Sequence, residues 1–184
     1  MCAILYAHIA GIYKKKARNK IMKRGIDISR HQGNIDFDYI AANFDYVIIR
    51  CAFGSDLSED DNECSQCDSM AQTYIDECEK RGIPYGLYIY QYAGNNEQSL
   101  SEAAHIREWF NKCNPVMGLW LDIEDADGYK AEHDIDYHDT QEFALTWLDA
   151  LSDVTAKGIY ASHSWLNDYM NVDELIEHGA LIWE

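Results

Sequence analysis

Short apolar strands alternate with amphipathic helices along this chain, which predicts an α/β fold on a parallel sheet, either doubly wound or closed into a barrel. Apolar runs of strand length recur at residues 25–29, 46–52, 84–90, 117–123, 158–161 and 180–183, with helical periodicity between them. Several runs place polar or aromatic residues on one face only: Asp27, Arg50, Tyr88 with Tyr90, Trp120 with Asp122 and Glu124, and Tyr160. A sheet buried on both faces reads as nearly continuous Val, Ile and Leu. The polar face therefore favours a barrel with a polar mouth, while Ile26 and Ile28, Val47 and Ile49, Leu87 and Ile89, and Leu119 and Leu121 form the face that meets helices.

Taken in order, residues 1–13 are apolar and residues 14–24 basic. A secretory signal has its charges first, and a membrane span needs about 20 residues. Residues 1–24 are therefore expected to be an extension outside the fold, and residues 25–184 the single domain. A short helix is expected at 36–43. In the next, Cys67, Met70, Ala71, Tyr74 and Cys78 form a buried face that ends at Gly82, with Pro84 beyond. Ser99 with Glu102 fits a capping box ahead of a helix that buries Ile106, Trp109, Phe110 and Cys113. Phe143, Trp147, Leu148 and Leu151 mark another helix, and shorter ones are expected at 164–169 and 173–178.

With 184 residues, 47% of them hydrophobic, the chain can bury one sizeable core. Its formal net charge is −17, and the first 24 residues hold seven of the fifteen Lys and Arg and no acid. The remainder carries 15 − 7 = 8 bases against 32 acids, a net of −24. So acidic a surface repels phosphate backbones, which argues against nucleic acid as a partner. No nucleotide-binding glycine loop follows the first strand, and no G-x-S-x-G turn offers an acyl-transfer serine, so no cofactor is expected. Cys64-x-x-Cys67 lacks a second ligand pair, and the histidines show no metal spacing, so no metal is expected. Without a signal peptide, reduced thiols are the default.

What remains is Gly118-Leu-Trp-Leu-Asp-Ile-Glu124. On a strand, Asp122 and Glu124 share a face about 6 to 7 Å apart. Glycosidases hold their two carboxyls about 5 to 9.5 Å apart, so one strand can carry such a pair. Crowded like charges and the neighbouring Trp120 keep one carboxyl protonated, as protonation of a glycosidic oxygen requires. Glu124, longer and nearer the strand end, is expected to be the acid, with Asp122 ionised. Tyr88, Tyr90 and Tyr92 share one face, and Trp165 follows the fifth strand. These rings are candidates to stack on sugars, and Arg50 is either a counter-ion for the acids or a ligand contact.

Gly25-Ile-Asp-Ile-Ser-Arg-His-Gln-Gly33, Tyr46-Val-Ile-Ile-Arg50, Gly82-Ile-Pro-Tyr-Gly-Leu-Tyr-Ile-Tyr-Gln-Tyr-Ala93, Leu119-Trp-Leu-Asp-Ile-Glu124 and Gly158-Ile-Tyr-Ala-Ser162 resemble, in order and spacing, the strand motifs of glycoside hydrolase family 25 lysozymes. The resemblance implies an irregular β/α barrel, TIM-like, with five β-α units and then extra strands. It implies an N-acetylmuramidase acting on the β-1,4 bond between N-acetylmuramic acid and N-acetylglucosamine in peptidoglycan glycan strands. By position, Glu124 matches the general acid, Asp122 its partner and Asp27 the first-strand acid. Tyr88, Tyr90, Tyr92, Tyr160, Trp165 and Arg50 are the expected substrate contacts. Family members continue past a sixth strand, so the last strands are expected to be missing from this chain. A monomer is expected, without stable membrane insertion, acting on the bacterial wall outside the cell or after phage release. A chitinase-like hydrolase and an inactive sugar-binding module are the competing readings.

Overall fold

The structure is a computed structural model that describes residues 23–54 and 66–184. The expected extension at 1–24, apart from its last two residues, and Cys64 lie outside the described residues. The strands are β1 (Gly25–Ile28), β2 (Tyr46–Phe53), β3 (Tyr85–Tyr90), β4 (Leu119–Ile123), β5 (Lys157–Ala161) and β6 (Leu181–Trp183). The helices are α1 (Phe37–Asn43), α2 (Ala71–Arg81), α3 (Asn96–Phe110), α4 (Tyr129–Glu132), α5 (Thr140–Ala150), α6 (His163–Tyr169) and α7 (Val172–Glu177).

All neighbouring strands pair in parallel, and their order in the sheet is their order in the chain. A doubly wound sheet reverses its strand order part-way, which this one does not. The result is a curled six-stranded sheet with the character of a half-barrel. Its outer face, including Val47, Ile49, Leu87, Ile89, Leu119, Leu121 and Ile159, shares one core with Ile40, Tyr74, Ile75, Ile106, Trp147 and Leu175 of the helices. A second, smaller cluster lies on the inner face, where Tyr46 and Ile48 of β2 meet Trp120 of β4 and Trp183 of β6. Curling brings side chains of strands so far apart into one group.

Glycines on the inner face permit that curl. A Cβ on Gly158 of β5 would fall 2.3 Å from the Leu181 carbonyl oxygen and 2.6 Å from the Trp120 ring. One on Gly86 of β3 would fall 2.9 Å from the Gly118 carbonyl oxygen. Trp120 and Trp183 then meet edge to face across β5, with ring centroids 5.7 Å apart.

Most expected elements form within a few residues of their predicted limits, and three details differ. Ser99 is not a helix cap: Asn95 caps α3 by accepting from the Gln98 N–H, one turn earlier. Ser99 lies inside the helix, where its Oγ donates to the Phe143 carbonyl at 2.6 Å. Glu102 turns inward to accept from Tyr92 and Ala93 N–H at 2.7 and 2.8 Å. A capping box and an inward-facing polar pair share the same spacing, so the motif could not distinguish them. Secondly, the helix expected from Cys67 starts at Ala71, because the Asp68 carboxylate turns back to accept from the Met70 N–H at 3.0 Å. Thirdly, Cys67 is disulfide-bonded where a reduced thiol was expected. It lies in an irregular segment bridged to Ala52, outside any helix.

Overpacking a core costs about 1–3 kcal/mol, and at Gly158 the nearest obstacle is backbone. Gly158→Ala is expected to lower unfolding free energy by at least about 2 kcal/mol in urea titration. A loss below about 0.5 kcal/mol, the range of neutral surface changes, would mean that β4 and β6 do not crowd β5 as described.

Candidate active site

The carboxyl ends of β3, β4 and β5 meet on the concave face. Register sets Tyr90 beside Asp122, and Asp122 beside Tyr160. Tyr88 lies beside Trp120 and Arg50. Asp27 stands on β1, opposite Ile48. Glu124 follows the last residue of β4 and is partly exposed, whereas Asp122 is only 6% exposed.

Burial dominates the electrostatics. The Asp122 carboxyl is pushed well above the carboxylate range by desolvation and then by the Glu124 charge, against the lowering effect of Lys130. Its Oδ1 has no hydrogen-bond partner among the described residues, which also favours the neutral acid. Glu124 is raised by burial, with Asp127 and Asp27 adding to the shift and Lys130 opposing it. Asp27 is likewise raised by burial. The structure thus brings together the three carboxyls expected from the sequence, with Asp122 more deeply buried than Glu124 and both raised by that burial. The pair is best described as titrating together.

The tyrosines divide by what their hydroxyls do. Tyr90 accepts from the Ala126 N–H at 3.1 Å and donates to the Glu124 carbonyl at 3.5 Å, so it holds the turn after β4. Tyr92 donates to the Asp127 carboxylate, and its ring lies 4.6 Å from that of Tyr129. Tyr88 and Tyr160 are partly exposed, and their hydroxyls bond no other described residue. Burial raises both, with the Asp122 charge next in effect, Tyr160 to about 12. They flank the carboxyl pair as neutral donors.

One expected contact lies elsewhere, and another has its own ion-pair partner. Trp165 is buried on the helix side, its Nε1 donating to Thr140 Oγ1 at 3.2 Å and its ring 4.6 Å from Tyr137. Its position just after β5 suggested the mouth, but α6 turns the ring into the outer core. Arg50 faces inward as expected, yet its Nε donates to Asp68 at 2.8 Å, so its ion-pair partner is not the carboxyl pair. Asp68 also accepts from the Arg30 N–H through both oxygens. No strand periodicity pointed to Asp68, because it lies in an irregular segment.

Three further groups were not read as part of the site from the sequence. Trp183 closes the concave face against Tyr160, with ring centroids 4.7 Å apart. Lys130, in an acidic stretch that reads as solvated, is fully buried and donates to the carbonyls of Gln91 and Glu124, both at 2.7 Å. Glu102 lies behind the β3 end, raised to about 8 by burial despite two backbone donors and Lys130.

A parallel β/α wall with paired, desolvated carboxyls at its carboxyl edge is an arrangement that glycoside hydrolases use. The model of the glycosyl hydrolases family 25 matches residues 26–183, and the chain belongs to that family. Among solved structures it is similar to the modular autolysin LytC of Streptococcus pneumoniae bound to a synthetic peptidoglycan ligand, with a TM-score of 0.68 and 23% identity over 88% of this chain and 39% of that one. It is also similar to the catalytic domain of endolysin ply40 from bacteriophage P40 of Listeria monocytogenes, with a TM-score of 0.64 and 19% identity over 82% and 69% of the two chains. A family 25 glycosyl hydrolase from Bacillus anthracis gives a TM-score of 0.60 and 16% identity over 86% and 70%. The chain thus spans well under half the length of the LytC structure. No curated protein matches the sequence.

A carboxyl whose folded pKa is raised from 4.5 to about 8 adds stability below 4.5 that is lost as pH climbs through 8. Glu102→Gln is therefore expected to match the parent at about pH 4, below the unfolded value, and exceed it at pH 9 by at least about 1.4 kcal/mol, the value of one pKa unit. Equal melting curves at both pH values would show that Glu102 is not held neutral.

Proposed function

We propose that the protein is a muramidase, cutting the β-1,4 bond between N-acetylmuramic acid and N-acetylglucosamine in peptidoglycan glycan strands. Its domain is residues 25–184, with residues 1–24 outside it, and the curled sheet is the wall of an irregular β/α barrel of five β-α units and further strands. It works as a monomer on the bacterial wall, outside the cell or after phage release. The observation that carries the proposal is the desolvated Asp122–Glu124 pair on the concave face, flanked by the open hydroxyls of Tyr88 and Tyr160. Family membership supports the hydrolase class, and the peptidoglycan ligand of the LytC structure supports the substrate.

A glycosidic oxygen leaves readily only when protonated. In the proposed mechanism the pair holds one proton between its two carboxyls. Glu124, the partly exposed member, delivers it to the leaving oxygen. Sugar binding excludes water, and the developing positive charge at the anomeric carbon favours ionised Asp122. That carboxylate stabilises the oxocarbenium-like transition state or orients the 2-acetamido group for attack, and a water then adds to the anomeric carbon and gives its proton back to Glu124. Asp27 adds negative charge that helps the pair keep its proton. Tyr88 and Tyr160 bond the sugar, Tyr90 and Tyr92 shape the rim, and Arg50 with Asp68 braces the wall.

Glu124→Gln is expected to cut the release of new reducing ends from purified peptidoglycan by at least about 100-fold, the usual contribution of a general acid, with the fold intact by circular dichroism. Mass spectrometry of the ends is expected to show N-acetylmuramic acid. Digestion at the parent rate would remove Glu124 from the role of acid, and N-acetylglucosamine ends would overturn the bond assigned. The pH optimum is expected to rise from a limb above the ordinary carboxylate range, because both pair members are raised.

A further inference from the structure

Lys130 is an expensive residue to bury. It is 0% exposed, on a one-turn helix in a segment otherwise rich in acids, and loses its hydration without a salt bridge of its own within 4 Å among the described residues. Its Nζ reaches back under the sheet to the Glu124 and Gln91 carbonyls and lies 5.6 Å from the centre of the Tyr90 ring. The Lys130 and Ala131 N–H groups donate to the carboxylate of Asp125, at 2.8 and 3.1 Å, and Tyr137 donates to the same group at 2.8 Å. The chain from Glu124 to Lys130 is therefore a closed loop, tied at the Glu124 carbonyl by the lysine tip and at the next residue by the lysine backbone.

Satisfying two carbonyls does not need a charge, since the NH2 of a side-chain amide carries two donor hydrogens. The acids around the ammonium do benefit from one. Glu102 faces it from α3, Asp122 and Glu124 from β4 and its end, and Asp125 and Asp127 from the loop before α4. Asp27 faces the same pair from β1. Arg50, the other cation near the pair, gives its Nε to Asp68 and lowers Asp122 less than Lys130 does.

We propose that Lys130 is a positioning residue of the carboxyl site: its ammonium ties the Glu124 carbonyl to that of Gln91, just after β3, fixing how the Glu124 side chain leaves its strand, and lodges a cation behind Asp122 and Glu124. The cation keeps one of the two ionisable at working pH, so the pair holds one proton rather than two. It lowers both carboxyls, opposing the burial that raises them. This role rests on the muramidase reading only for its link to turnover.

The test follows the carboxyl carbons of Asp122 and Glu124 by NMR titration of the full chain, in the parent, Lys130→Met and Lys130→Gln. Gln keeps a donor without the charge. Both substitutions are expected to move the first ionisation of the pair up by about one pH unit or more. The acid limb of kcat/KM on peptidoglycan is expected to move with it, with kcat falling more than KM rises. In the unmodified protein the Lys130 ammonium nitrogen is expected to shift in step with the pair, a reading that does not depend on either variant folding. Unmoved carboxyl titrations, or an ammonium signal blind to the pair, overturn the proposal even if the parent digests walls. Shifted titrations in a protein that releases no reducing ends uphold Lys130 and overturn the muramidase reading instead.

Discussion

The site depends on one constraint, the desolvation of Asp122. A carboxyl this deeply buried is costly to ionise. The surrounding wall explains why it is buried: Trp120 and Trp183 close the inner cluster beneath it, and Tyr90 and Tyr160 stand beside it on the adjoining strands. Gly158 and Gly86 permit the close approach of those layers. The packing that makes the sheet curl therefore also desolvates and raises the carboxyl, and fold and chemistry share one cause.

The wall is braced from behind by buried polar groups. Asp68 holds Arg50 and the backbone after β1, Glu102 holds the turn after β3, and Lys130 holds the turn after β4. Each ties an irregular segment to a strand end, where the functional side chains begin. Groups held in this way keep their direction when a substrate arrives, which is the general requirement for a preorganised site. The arrangement is costly: Asp122, Glu102 and Gln91 all retain buried atoms without a hydrogen-bond partner among the described residues.

Much of this was legible in the sequence because strands have period two. The alternation in Gly25–Ile28 and Leu119–Ile123 shows which side chains share a face, so Asp27, Asp122 and Glu124 could be grouped before the fold was known. Tyr88 and Tyr160 followed from the same pattern. Periodicity could not choose between a doubly wound sheet and a barrel, since strand order is a long-range property. It also missed Asp68 and Lys130, whose burial is set by irregular segments folding back on strand ends. Trp165 went astray for a related reason: its place after β5 is near the mouth in sequence, but the direction of α6 is fixed by packing against Tyr137 and Tyr169. Ser99 and Glu102 show that a local motif can be satisfied by a different, tertiary use of the same residues.

The central claim is that sugar binds the concave face with its scissile bond at the carboxyl pair. A crystal structure of Glu124→Gln with a β-1,4-linked oligomer of alternating N-acetylmuramic acid and N-acetylglucosamine tests it most directly. Rings between Tyr88 and Tyr160, with the bridging oxygen about 3 Å from the residue 124 amide, are the predicted result. An oligomer bound on the helix side, or across the mouth with its bridging oxygen out of reach of position 124, would contradict the account.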